Sequence, residues 1–342
     1  MTTNAKRMFN FLNRKSVDRL PIIEWAIWWD KTIQRWQTEG MPFELYSKEM
    51  KQGLGLDYDH QTWFYNGLSA APNLKQNDLH GNNNDGYMDN EEHYEQIKPY
   101  IFDKETVNQW GGPIKLADYL EGLKKHEEAG DIVWFTLEGF FWLPRELFGI
   151  EDHLLSFYDQ PELYHRICQD ATDYYLFLIE EITKYVTPQF MTFGEDMSYN
   201  NGPMLSEDMF NEFIKPYYDQ IIPKLHEKGI KVIVDSDGDI TKLIPWLINA
   251  GVDGILPLER QAGTDVNQLT EQYPDFLFVG GFDKMVMKHG KDAMEKELER
   301  ILPAIKRGNF LPSVDHQTPP DVSYEQYLDY IKLFREYAGK IN

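Results

Sequence analysis

The chain is short of cysteine and of positive charge. Its single thiol, Cys168, excludes an internal disulfide framework and any cysteine-rich zinc site. Lys and Arg number 34 against 56 Asp and Glu, a formal net charge of −22 over 342 residues. A field of that sign repels phosphate backbones and anionic lipid, so nucleic-acid binding and a membrane-surface role are set aside. Long apolar runs are missing too, none approaching the ~20 residues that cross a bilayer. The first residues, MTTNAKRMFNFLNRKSVDRLP, have the period of an amphipathic helix and no apolar stretch followed by a small-residue cleavage site. They do not read as a signal peptide, and a soluble, cytoplasmic protein is the expectation. Aromatic residues, by contrast, are plentiful: nine Trp, twenty Tyr and twenty Phe can furnish both a core and an apolar pocket.

No Pro/Gly/Ser-rich linker and no short-period repeat divides the chain, which suits one large domain over residues 1–342. Beyond residue 130 short β-branched runs alternate with segments of helical period. IVWFTLEG (132–139) predicts a strand and Pro161–Val186 a helix, in which Cys168 reads as a small buried residue. QFMTFGED (189–196) precedes one helix running from the Ser206 cap to Gly229. KVIVDSD, GILPLE, FLFVGGF and FLPSVDH each precede a further helical segment. The β-then-α order argues for a parallel sheet, and the number of units favours a closed, distorted (β/α)8 barrel of TIM type. LPIIEWAIWW (20–29) reads as its opening strand. The eighth strand is unplaced, with the irregular, partly Asn-rich excursion at 57–110 as the place to look.

In such a barrel the chemistry gathers where strands exit toward their helices. The exits here carry Glu195-Asp196, Asp235 with Asp237, Glu259, Asp283 and Asp315-His316, while Glu24 and Glu138 lie within earlier apolar runs. Turn and cap duty accounts for some of these acids: Asp239 as a helix cap, Asp283 as a turn residue, Asp321 (or Ser323) at the start of the last helix. Glutamates in apolar runs have no such duty, because an unpaired buried carboxylate costs several kcal/mol. Glu24, Glu138, Glu195 and Glu259 are therefore either functional or paired with Arg145, Arg260 or Lys284. Asp235 and Asp237 share one side of a strand, where like charges must share a proton, bind a cation or meet an arginine. With Asp315 and His316 they form a candidate oxygen-rich site for a divalent metal, zinc or magnesium. Trp25, Trp28, Phe141, Tyr199 and Asn200 cluster at the first strand ends and could line a pocket for an aromatic or methyl-bearing substrate.

Several stretches together resemble the uroporphyrinogen decarboxylase superfamily: KRMFNFLNRKSVDRLPI, GEDMSYNNGPMLSEDMFNEFIKPYY, the VDSDGD turn with INAGVDGILPLE, VGGFDK, and PSVDHQTPPDVS. The resemblance implies a single distorted (β/α)8 barrel with its site at the strand C-termini. It also implies either porphyrinogen decarboxylation or methyl transfer involving corrinoid proteins or coenzyme M. The decarboxylase's Arg-Gln-Ala-Gly-Arg segment after its first strand is replaced here by EWAIWWDKT, and a mouth lined with carboxylates would repel a polycarboxylate. The methyltransferases' His-x-Cys-Gly motif becomes Asp235-Ser236-Asp237-Gly238, and their later cysteine falls near Asp315-His316. The positions match without the thiolates.

The expectation is thus a methyltransferase acting on a small donor such as a methoxylated aromatic, with a corrinoid protein or a thiol as acceptor and a homodimer left open. Asp235, Asp237 or Glu195 would supply the proton to the departing oxygen, Trp25, Trp28, Phe141, Tyr199, Asn200 and Glu259 would contact substrate, and Asp315/His316 would serve as metal ligand or partner. The rivals are a decarboxylase or lyase for a smaller substrate, anchored by Arg145, Arg260 or Lys284, and a non-catalytic metabolite-binding barrel.

Overall fold

The computed structural model describes residues 2–26, 28–75, 86–109 and 112–341. Within these, seven parallel strands form one sheet in strict sequence order: β1 Asp59–Trp63, β2 Ile132–Glu138, β3 Phe190–Gly194, β4 Lys231–Asp235, β5 Gly254–Leu256, β6 Leu277–Phe282 and β7 Phe310–Val314. Every residue of β2, β6 and β7 is buried, as expected of parallel strands covered on both faces. The helix Lys291–Arg307 shows how the covering works. Met294, Leu298, Ile301 and Ile305 recur at helical spacing and turn inward, and Gly308, at φ 75°, ends the helix in the left-handed region. Side chains from sheet and helices join in one contiguous apolar core.

Six of the seven expected strands are present, and the other is a correction. Residues 20–25 form no ladder, and the chain bends at Trp25. Isolated bonds to backbone and side chains take the place of a ladder: Leu20 N donates to the Ala338 carbonyl and Asp57 N to the Ile22 carbonyl. Ile22 N donates to Asp57 Oδ2 at 3.0 Å and Val314 N to Glu24 Oε2 at 3.3 Å, while the Trp25 indole donates to the Val314 carbonyl at 2.8 Å. The segment thereby ties the approach to β1 to the end of β7, where an eighth strand would lie. Among the described residues there is no eighth strand in this sheet. The seventh strand, β1, comes from the 57–110 stretch read as an excursion; that stretch also holds a small hairpin, Thr106–Gln109 with Gly112–Lys115. The Asn-rich run at 76–85, with His80, lies outside the described residues.

Two helix boundaries also differ. The segment after β3 is two helices, Glu207–Phe213 and Lys215–Glu227, because Pro216 starts a new first turn. Ser323, rather than Asp321, caps the last helix in a reciprocal box with Gln326, while Asp321 pairs with Lys288. Asp239 does not cap a helix: it accepts from Thr241 N in a local turn.

After β4 the chain turns at Gly238, whose φ is +82°; a Cβ there would lie 2.6 Å from the Tyr199 carbonyl carbon. Gly229 has a similar φ of +76° with nothing within 4 Å. Gly238→Ala should therefore destabilise the fold by about 2 kcal/mol or more, and Gly229→Ala by only about 1 kcal/mol. Urea unfolding of the two variants side by side checks this; equal losses would mean the close approach at Gly238 contributes nothing.

Candidate active site

Strand register brings the acids together. Gly194, the last residue of β3, pairs with Asp235, the last of β4. Both Glu195 N and Asp196 N donate to the Asp235 carbonyl, at 2.9 and 3.2 Å. From there the two side chains part. Glu195 goes inward, where Phe140 N, Phe141 N and the Tyr218 hydroxyl all donate to its carboxylate at 2.6–2.9 Å. Burial pushes its carboxyl up to about 7, against the downward pull of those three donors. Asp196, in the left-handed region at φ 41°, accepts from Asp237 N at 3.3 Å. Asp196, Asp235 and Asp237 each offer a carboxylate oxygen within 4.8 Å of the others.

These three carboxylates line a cavity of about 630 Å3, with His316, Trp25 and Trp28. His316 Nε2 lies 3.5 Å from Asp237 Oδ2, and that contact raises the imidazole's pKa. Asp235 is pushed well above the usual carboxylate range by burial first, then by the charges of Asp196 and Asp237. Asp196 rises to about 6 for the same two reasons, burial and Asp237. The Asp237 Oδ1 atom is buried with no hydrogen-bond partner, and the Asp235 carboxyl makes no hydrogen bond among the described residues. Glu24 also faces this cavity; burial lifts it to about 7 although Ser313 and Tyr327 donate to it. From β1 come His60 and Trp63. Burial lowers His60 to about 3, so its ring is neutral, stacked 4.1 Å from His126.

Of the site residues expected from sequence, Asp235, Asp237, His316, Trp25 and Trp28 meet in this cavity. The others do not line it. Phe141 is fully buried against His153. Asp315 is occupied by Arg260 N and Lys284 N at 3.0 and 3.1 Å, with burial raising it to about 6. Glu259 accepts from Gly238 N and lies 3.5 Å from Lys284. Tyr199 and Asn200 form the exposed tip of a short hairpin whose Tyr199 carbonyl accepts from Asp239 N. Asp196 was visible as a strand-exit acid, but only the β3–β4 register shows that it joins Asp235. His60 carried no site signal, since β1 lay in a stretch without strand periodicity, while Glu24 stood out as a glutamate in an apolar run but not as a neighbour of Asp235.

The uroporphyrinogen decarboxylase (URO-D) family matches residues 138–337. The comparison with curated proteins gave no match. Among solved structures, a methyltransferase from Methanosarcina mazei superposes with a TM-score of 0.62 at 12% identity, over 98% of this chain and 99% of that one. A B12-independent methionine synthase from Shewanella sp. W3-18-1 covers 65% of each chain at 13% identity, with a TM-score of only 0.45.

The crowded acids make stability depend on pH. A carboxyl that holds its proton more tightly when folded weakens the fold as pH rises from its ordinary value of 3.8 through its folded value. In metal-free protein, Asp235→Asn should be more stable than wild type near pH ~8, the gap closing as pH falls toward ~4. Denaturant unfolding across that range measures it; an Asn variant less stable than wild type near pH ~8 would show that the Asp235 charge is compensated.

Proposed function

Because the chain belongs to the uroporphyrinogen decarboxylase family, we propose that it moves a methyl group from a small donor, such as a methoxylated aromatic, to a corrinoid protein or a thiol. The observation that carries this reading is the cavity at the ends of β3 and β4, where carboxyls raised above their usual range stand beside an indole wall. The fold shared with the Methanosarcina methyltransferase supports it. Exposed Trp29 and Tyr46, the latter at the cavity, give a partner protein apolar surface to meet.

In the transfer the acceptor's electron pair attacks the methyl carbon, the O–CH3 bond breaks, and the departing oxygen takes a proton. Asp235 is the residue for that proton, because burial and then its charged neighbours raise its carboxyl well above an ordinary aspartate's range. Asp237 raises the pKa of His316 and so favours the imidazolium, which would balance negative charge in the cavity. Trp25 and Trp28 flank the donor ring. Glu195, tied to Phe140, Phe141 and Tyr218, fixes the turn that presents Asp196. The orphaned Asp237 Oδ1 and the unpaired Asp235 carboxyl also fit a divalent ion, zinc or magnesium, which Asp196, Asp235 and Asp237 would hold as ionised carboxylates, the ion then taking the place of the Asp235 proton. When bound, such an ion would polarise the donor oxygen as a Lewis acid.

The competing decarboxylase reading needs a cationic anchor. Arg260 spends its Nη1 on the Thr264 carbonyl, and Lys284 lies between Glu259 and Asp315. Arg145 alone of the three lines a cavity.

The test is methyl transfer from methoxylated aromatics to cob(I)alamin, followed as methylcobalamin formation. Asp235→Asn should slow it by about 100-fold or more, with Trp25→Phe nearer wild type. Unchanged turnover in the Asp235→Asn/Asp237→Asn double variant would remove these residues from the reaction. Carbon dioxide release without methyl transfer would favour the decarboxylase.

A further inference from the structure

A second cavity, of about 670 Å3, adjoins the first, and Tyr65 and Gln109 line both. Its ionisable lining consists largely of Glu138, the last residue of β2, with Arg145 and Glu146 on the helix Trp142–Phe148. One amide holds the two acids together: Asn66 Nδ2 donates to Glu138 Oε2 at 2.6 Å and to Glu146 Oε2 at 2.7 Å. Burial raises both carboxyls, and the charge of Glu146 lifts Glu138 further. Burial and mutual repulsion thus disfavour full ionisation of the pair, while the Asn66 donors pull the other way.

Arg145 cannot discharge in the same way. Its guanidinium carbon lies 4.8 Å from the Trp142 ring centre, and its side chain makes no hydrogen bond or ion pair among the described residues. It is only partly exposed. A guanidinium offers five N–H donors in a planar fork that matches a carboxylate. Most other buried or half-buried arginines in the chain have such an acceptor: Arg7 has Asp18, Arg19 has Asp57, and Arg300 has Glu297. Here the acceptor is missing while the cavity remains, with Trp142, Tyr65 and Tyr87 in its walls. The positive charge also reaches the first cavity, where it pulls Asp196 downward.

We infer that the second cavity is an anchoring subsite for a carboxylate, gripped by Arg145 against the face of Trp142, so that the donor is an aromatic acid whose methyl-bearing end extends past Tyr65 and Gln109 toward Asp235. The second half of this statement rests on the proposed methyl transfer; the anchor itself does not. In this reading Asn66 is a positioning residue that holds Glu138 and Glu146 on one amide, and Arg145 supplies the positive charge of the subsite.

The experiment compares binding of benzoate and benzamide to the full chain, read by calorimetry and by tryptophan fluorescence, with Arg145→Gln and Arg145→Lys variants. Wild type should prefer benzoate by about tenfold or more, Arg145→Gln should lose the preference, and Arg145→Lys should keep part of it. Thermal unfolding of both variants confirms that they fold, and Arg145→Lys carries the test if the glutamine variant does not. Equal affinity for benzoate and benzamide, no benzoate binding below about 10 mM, or a preference that survives in Arg145→Gln would each overturn the anchor. Methyl transfer separates the two claims. Equal rates from 4-methoxybenzoate and 4-methoxybenzamide would remove the anchor and keep the reaction, whereas a benzoate preference with no methyl transfer would do the reverse.

Discussion

Holding Asp196, Asp235 and Asp237 within 4.8 Å of one another at the ends of neighbouring strands sets like charges against each other, and the surroundings are arranged to meet that repulsion. Burial and its two neighbours push the Asp235 carboxyl well above the usual carboxylate range. Asp237 draws His316 toward the imidazolium form. The Asp237 backbone N–H donates to Asp196, and the Gly238 N–H is held by Glu259, so the turn cannot open to separate the charges without losing both bonds. Gly238 is the residue that allows the turn to pack against Tyr199 at all. Electrostatic strain is thus concentrated at one end of the sheet, a common place for a fold of this kind to carry chemistry.

The other buried glutamates are held in different ways, and the differences sort their roles. Glu195 accepts from two backbone amides and a tyrosine and lines neither cavity described above. Glu24 accepts from Ser313 and Tyr327 while still facing the first cavity, so it both joins the 20–25 segment to β7 and stands as a titratable group in the cavity wall. Glu138 shares Asn66 with Glu146 in the second cavity. In this chain a glutamate inside an apolar run marks either a joint in the scaffold or a wall of a cavity.

Much of the fold was legible because periodicity reports burial. Strands β2 to β4, β6 and β7 announce themselves as β-branched and aromatic runs, and the helices between them by helical spacing. The first strand was misplaced for a physical reason. LPIIEWAIWW has strand composition, yet it makes only isolated bonds and no ladder, whereas DHQTW, the true β1, is largely polar because several of its side chains line the first cavity. The Asp235/Asp237 pair and His316 could be read from strand exits. Asp196 needed the register of β3 on β4, and Arg145 needed the knowledge that its guanidinium finds no acceptor, which no local pattern encodes. Expected substrate contacts at Phe141, Tyr199 and Asn200 followed their closeness in sequence to strand ends, but helix packing buries the first and a hairpin carries the other two outward.

The central claim is that the cavity's aspartates share protons instead of standing ionised. The most direct measurement is a pH titration of the aspartate carboxyl carbons by 13C NMR in metal-free protein. At least one aspartate should titrate at or above pH ~6 and disappear from the spectrum in Asp235→Asn, with a second returning toward the ordinary range once its neighbour's charge is gone. If every aspartate titrates below pH ~4.5, the crowding is relieved in some other way, and the proton-donating role of Asp235 falls.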